Sequence, residues 1–179
     1  MRKVLFLLGQ LSDSDLEWLI THGNRQQVPA GTVLIHEGRH IDALYILLDG
    51  VLEVTGTHLG NSPIRLGCGE VVGEMSLLDS RPPVATVTAV AASVVLAIPR
   101  SELVRKVEED APFAARFYRS LAIFLVHRLR GTYHRFGYGE KQSLDEELEY
   151  DDELSPELLD SIHMAATRFD HALQRLLAK

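Results

Sequence analysis

Gly73 and Glu74 stand where an apolar pair, Val71 and Val72, gives way to the run Met75, Ser76, Leu77, Leu78. A glycine lets the backbone approach a ligand closely, and the free N–H groups of the turn that follows suit an anion such as a phosphate. An ionised glutamate only accepts, so Glu74 can take hydrogen bonds from a sugar hydroxyl beside that phosphate. Together these residues suggest a nucleotide cradle. They also read as a solvated glutamate in a surface turn, and spacing alone leaves both readings open.

The cradle needs elements to hold it. From Gly67 to Ala89 the pattern is strand, turn, strand, with Arg81, Pro82 and Pro83 forming a stiff bend before a β-type alternation. On either side lie short apolar or alternating runs separated by glycine. Val28, Thr32–Ile35, Leu44–Leu48, Val51–Thr55, Ile64–Leu66, Val71–Val72, Ala85–Val90 and Ser93–Ile98 give about eight strands at close spacing. That spacing predicts a mainly β fold with helices, an antiparallel β-roll or jelly roll flanked by N-terminal and C-terminal helices. Ser12 with Asp15 predicts a capped helix carrying Leu16, Trp18, Leu19 and Ile20 and ending near Gly23. After Pro99 a short helix is expected from Ser101, and Pro112 opens a longer one to about Phe136.

The middle of that long helix, Leu121 to Val126, reads as apolar all round, so it must be buried on more than one side. Phe117, Leu121, Phe124 and Leu125 are not all expected to face one β-roll. A second copy of the chain, packed through this helix, is the expected cover, and the alternative is internal, with the helix beginning at Ser155 folded back over the same face. Gly131 costs roughly 1 kcal/mol relative to alanine inside a helix and marks a candidate bend. His127 and His134 have no third partner at metal-ligand spacing, so no metal site is expected.

With 179 residues, 46% of them apolar, the chain is long enough for a globular core. The net charge of −7 argues against a basic nucleic-acid-binding face. The one cysteine, Cys68, excludes an intramolecular disulfide and fits a reducing cytoplasm. Met1 to Leu8 has too short an apolar run for an export signal, and no run is long enough to span a membrane. No nucleophile, base and orienter appear together, so catalysis is not expected. Past Gly139 an acidic stretch from Asp145 to Glu153 reads as a linker, followed by an amphipathic helix from Ser155.

The run Gly73 to Leu78 followed by Ala85, Thr86, Val87 and Ala89 resembles the phosphate-binding cassette of the cyclic-nucleotide-binding domain family. Pro29 to Gly38 and Leu44 to Val54 look like that family's early strands, with their turn glycines in order. The resemblance covers roughly residues 12 to 136. It implies a regulatory module without resident cofactor, taking a cyclic nucleotide or related nucleotide as ligand. The implied ligand-binding residues are Gly73, Glu74, Met75, Ser76, Ala85 and Thr86, with Arg128 and Thr132 reaching in from the long helix.

One departure bears on the chemistry. Ligand-binding members place an arginine two residues before the Ala-Thr pair to clamp the cyclic phosphate, followed by Ser or Thr, whereas this chain has Pro83 and Val84. A charged hydrogen bond contributes about 1.5 to 3 kcal/mol, so the loss weakens binding by roughly tenfold to several hundredfold. Arg81 is the nearest candidate to replace it.

Two parts are therefore expected: residues 1–139, the cyclic-nucleotide-binding-like domain with its long helix, and residues 140–179, the linker and terminal helix. Three functions compete. The first is a sensor that signals through its C-terminal helices to an unknown protein partner. The second is a degenerate fold that binds no nucleotide and serves as a dimeric scaffold. The third is a transcription regulator lacking its own DNA-reading domain, since residues 140–179 offer one helix and no second recognition helix.

Overall fold

The computed structural model describes residues 9–57, 63–79, 81–136, 166–170, 174 and 176, with side chains on the long helix described as far as residue 129. Residues 1–8, the acidic stretch and the start of the terminal helix lie outside them.

The chain enters through α1 (Asp13–His22), which begins where expected. Ser12 Oγ accepts from the Asp15 backbone N–H while the Asp15 carboxylate accepts from the Ser12 N–H, and Gly23 ends the helix. Eight strands follow: β1 (Asn24–Val28), β2 (Val33–Ile35), β3 (Ala43–Asp49), β4 (Leu52–Thr55), β5 (Ile64–Leu66), β6 (Val71–Val72), β7 (Thr86–Ala89) and β8 (Ser93–Pro99). Between β6 and β7 sits a one-turn helix, α2 (Met75–Leu78), and after β8 come α3 (Arg100–Glu109) and α4 (Ala111–Phe136). Asp110 joins the last two. Its N–H closes α3 on the Lys106 carbonyl, and its carboxylate accepts from the Phe113 N–H in the first turn of α4.

The strands form two antiparallel sheets, β1-β8-β3-β6 and β2-β7-β4-β5. The strand β3 belongs to two cores at once, which is why it reads as a continuous apolar run. Leu44, Ile46 and Leu48 join the helices, whereas Leu47 joins Val28, Ile35, Leu52, Val72, Val87 and Val95 between the sheets. The expected β-roll with flanking helices is the observed architecture.

The long helix differs from expectation in how it is buried. Phe113, Phe117, Ser120, Leu121 and Phe124 are all at most 1% exposed within a single chain. At 100° per residue these positions share one side of a helix. Their neighbours are Leu11 and Leu19 from the N-terminal region, Leu103 from α3, the outer face of the first sheet, and Phe169. Phe117, Leu121 and Phe124 therefore need no second copy to cover them. Leu125 is only half-buried, and Ala122 and Val126 are exposed. The helix also runs unbroken through Gly131.

Ion pairs bind the helices to each other. Arg116 on α4 donates from Nε and Nη2 to the Asp15 carboxylate on α1, at 2.6 and 2.9 Å. Arg168, in the helical residues 166–170, lies 2.8 Å from the Asp13 carboxylate and donates to the Leu11 carbonyl at 2.9 Å. With Phe169 buried in the same core, the described part of the terminal helix folds back on its own chain.

Candidate functional site

The turn between β6 and α2 positions the glycine and glutamate. Gly73 has φ +92°, and a Cβ there would sit 2.8 Å from the Ala43 carbonyl and 2.9 Å from Ile41 Cδ1. Only glycine fits this left-handed, crowded position, so the chain can pass tightly beneath β3 and deliver Glu74 inward. Glu74 is 1% exposed, which excludes the solvated-turn reading.

A buried carboxylate needs a partner. Arg128, on α4, supplies it by donating from Nη1 to Glu74 Oε1. The same guanidinium lies over the Phe124 ring one turn earlier, 5.3 Å from its centroid, so it is held by charge on one side and by an aromatic face on the other. Phe124 was not legible as a site residue, although its i, i+4 spacing to Arg128 carried the signal. The structure thus joins two of the sequence-derived candidates, Glu74 and Arg128.

The other candidates divide. Met75 is 57% exposed and Val84 60% exposed, so the cassette presents apolar side chains to solvent. The Ser76 carbonyl accepts from Arg100 Nε at 3.3 Å. Pro83 is half-buried, and its carbonyl takes the Gly38 N–H at 2.9 Å. Thr86 opens β7 and accepts the Glu37 N–H at 3.1 Å, with Ala85 half-buried beside it. Arg81 is held at 2.5 Å by Asp79, not by Glu74. Thr132 lies on α4, but its side chain falls outside the described residues. Arg100 is the residue that sequence reasoning missed: its N–H also donates to the Asp42 carbonyl at 2.7 Å, so it joins the cassette to the loop before β3.

Among the described residues no group of three or more His, Cys, Asp or Glu gathers for a metal, and no helix is long and apolar enough to cross a membrane.

A β-roll carrying a Gly-Glu cassette under a long helix is the architecture that the sequence resemblance implied. Residues 25–110 match the family model for the cyclic nucleotide-binding domain, and this segment belongs to that family. The chain is 31% identical over 127 residues to the Cyclic AMP receptor protein of Thermus thermophilus, covering 69% of this chain and 57% of that protein. It is 28% identical over 118 residues to the cAMP-dependent protein kinase regulatory subunit of Blastocladiella emersonii, covering 64% of this chain and 29% of that one. The chain thus spans little more than half of the first relative and under a third of the second. A solved cyclic nucleotide-binding domain from Methylobacillus flagellatus superposes with a TM-score of 0.67 at 21% identity, over 78% of this chain and 85% of that one. That likeness concerns the fold.

Proposed function

We propose that the chain is a cytoplasmic, non-enzymatic sensor of the cyclic-nucleotide-binding type, in which a sugar hydroxyl of the ligand meets Glu74 and the response leaves through α4. The observation that carries this reading is the buried contact between Glu74 and Arg128. It connects the cassette to the helix that leads toward residues 140–179, so a ligand that engages Glu74 must act on α4 as well.

In this reading Pro83 and Val84 leave the cyclic phosphate without its guanidinium clamp, and affinity for simple cyclic nucleotides is low. The dimer is retained, through a different face of α4 from the one expected. Tyr118, Ala122 and Leu129 fall within about 40° of one another around the helix, on the side away from the core, and Leu125 at their edge packs partly against the core. Tyr118 and Leu129 are 45% and 55% exposed, and Val126 flanks the stripe. Residues 1–139 act as the sensing part and 140–179 as the output toward a protein partner, without direct contact to nucleic acid.

A specific feature also favours the scaffold reading. Val84 and Met75 expose apolar surface where a phosphate would need donors. Calorimetric titration of the chain with cyclic AMP, cyclic GMP and cyclic dinucleotides, run beside Glu74→Ala, separates the two. Binding that Glu74→Ala abolishes supports the sensor, and no heat with any of them supports the scaffold.

A further inference from the structure

A pocket of about 240 Å³ opens on the side of the cassette where Arg100 lies, lined by His40, Ile41, Asp42, Ser76, Arg81 and Arg100. Neither Glu74 nor Arg128 is among these residues. Three separate segments meet there: the loop before β3, the cassette, and the first residue of α3.

The hydrogen-bonding balance of this pocket is uneven. Arg100 uses its backbone N–H on the Asp42 carbonyl at 2.7 Å and its Nε on the Ser76 carbonyl at 3.3 Å. Its two terminal nitrogens meet no acceptor among the described residues. Arg81 spends Nε and Nη2 on Asp79, both at 2.5 Å, which leaves Nη1. His40 lines the pocket as well. Against these stands one lining carboxylate, Asp42.

The two terminal nitrogens of Arg100 and the remaining Nη1 of Arg81 match the oxygens of a phosphate, and the pocket has room for a small molecule that carries one. Asp42, acceptor-only when ionised, disfavours a bare anion but suits one with a hydroxyl beside its charge. We infer that this pocket binds a small hydroxylated phosphomonoester, of the sugar-phosphate class, outside the cradle built around Glu74. The inference goes beyond the sensor reading and does not depend on it. An occupant bridging Arg81 and Arg100 would fix the cassette to the start of α3 and so bias the same elements as a ligand in the cradle.

The test is calorimetric titration of the full chain with ribose 5-phosphate and, separately, inorganic phosphate. Ribose 5-phosphate should bind, and more tightly than inorganic phosphate. Arg81→Ala and Arg100→Gln should each weaken it about tenfold or more, as expected for a lost charged hydrogen bond. Arg81 is exposed, and among the described residues its hydrogen bonds go to Asp79, so its variant stays interpretable if Arg100→Gln unfolds the chain. Glu74→Ala should leave this binding unchanged. Absence of binding, or full affinity in Arg81→Ala, overturns the proposal. Loss of binding in Glu74→Ala, or competition by cyclic AMP, places the phosphate in the cradle and overturns it equally. Equal affinity for inorganic phosphate removes the role of Asp42 and with it the sugar-phosphate assignment.

Discussion

Arg128 and Glu74, 54 residues apart in sequence, form an ion pair whose carboxylate side chain is 2% exposed and whose guanidinium side chain is 28% exposed. The asymmetry decides how the pair behaves. The arginine keeps part of its hydration, whereas the glutamate depends on its partner for compensation. A sugar hydroxyl arriving at Glu74 must share the carboxylate with Arg128 or displace it, and either event moves charge on α4.

The first prediction concerns that coupling. Arg128→Met should destabilise the chain more than Glu74→Gln, because it strands a buried charge while the amide removes one. A double-mutant cycle by urea unfolding should return a coupling of about 1 to 3 kcal/mol. A coupling below about 0.5 kcal/mol would mean that the two groups do not sense each other in solution.

The second prediction tests the cradle itself. Cyclic AMP should bind weakly or not at all to the natural chain, and Pro83→Arg with Val84→Ser should tighten it by roughly tenfold or more. Val84 is exposed, so the serine costs little packing. If the double variant folds and gains nothing, the cradle is not organised around a phosphate.

How far the sequence revealed this arrangement depended on how local each signal was. The box between Ser12 and Asp15 is complete within four residues, and it was legible. So was β3, whose unbroken apolar run follows from burial on both faces. The start of β1 at Asn24 was hidden, because Asn24 to Gln27 are polar and are held by pairing with β8 rather than by an apolar face. Glu74 could be named as a candidate but not as buried, since its burial depends on Arg128 arriving from another element. On α4 the dense apolar run from Leu121 to Val126 concealed two stripes, and only the packing of Phe113, Phe117 and Phe124 shows which faces inward.

The third prediction follows from Asp15. Burial pushes its carboxyl up, but hydrogen bonds from Arg116 and from Ser12 outweigh that and hold it at about 2, below the ordinary 3.8. A depressed carboxylate stabilises the fold above its unfolded value and ceases to do so as pH falls through the folded one. A shift of this size corresponds to roughly 2 kcal/mol, fully present above about pH 5 and lost progressively toward pH 2. Asp15→Asn should therefore lower stability at neutral pH, and the gap from the natural chain should close between pH 4 and pH 2. A gap that stays constant with pH would show that the pair with Arg116 contributes by packing alone.

The fourth prediction separates the two faces of α4. Leu121→Asp or Phe124→Asp places a charge in a core where both side chains are fully buried, so each should unfold the chain whatever its oligomeric state. Tyr118→Asp with Leu129→Asp alters only the outer stripe, and circular dichroism should show the fold intact. If two copies pack through this stripe about a two-fold axis, each large side chain newly buried contributes about 1.5 to 3 kcal/mol, an upper figure because both are already half covered. Sedimentation should then find the natural chain dimeric at micromolar concentration and the double variant monomeric. The described terminal helix does not compete for this face through Phe169, which is already committed to the core beside α1. A natural chain that sediments as a monomer throughout the micromolar range would refute the dimer and leave the stripe on α4 to a different partner.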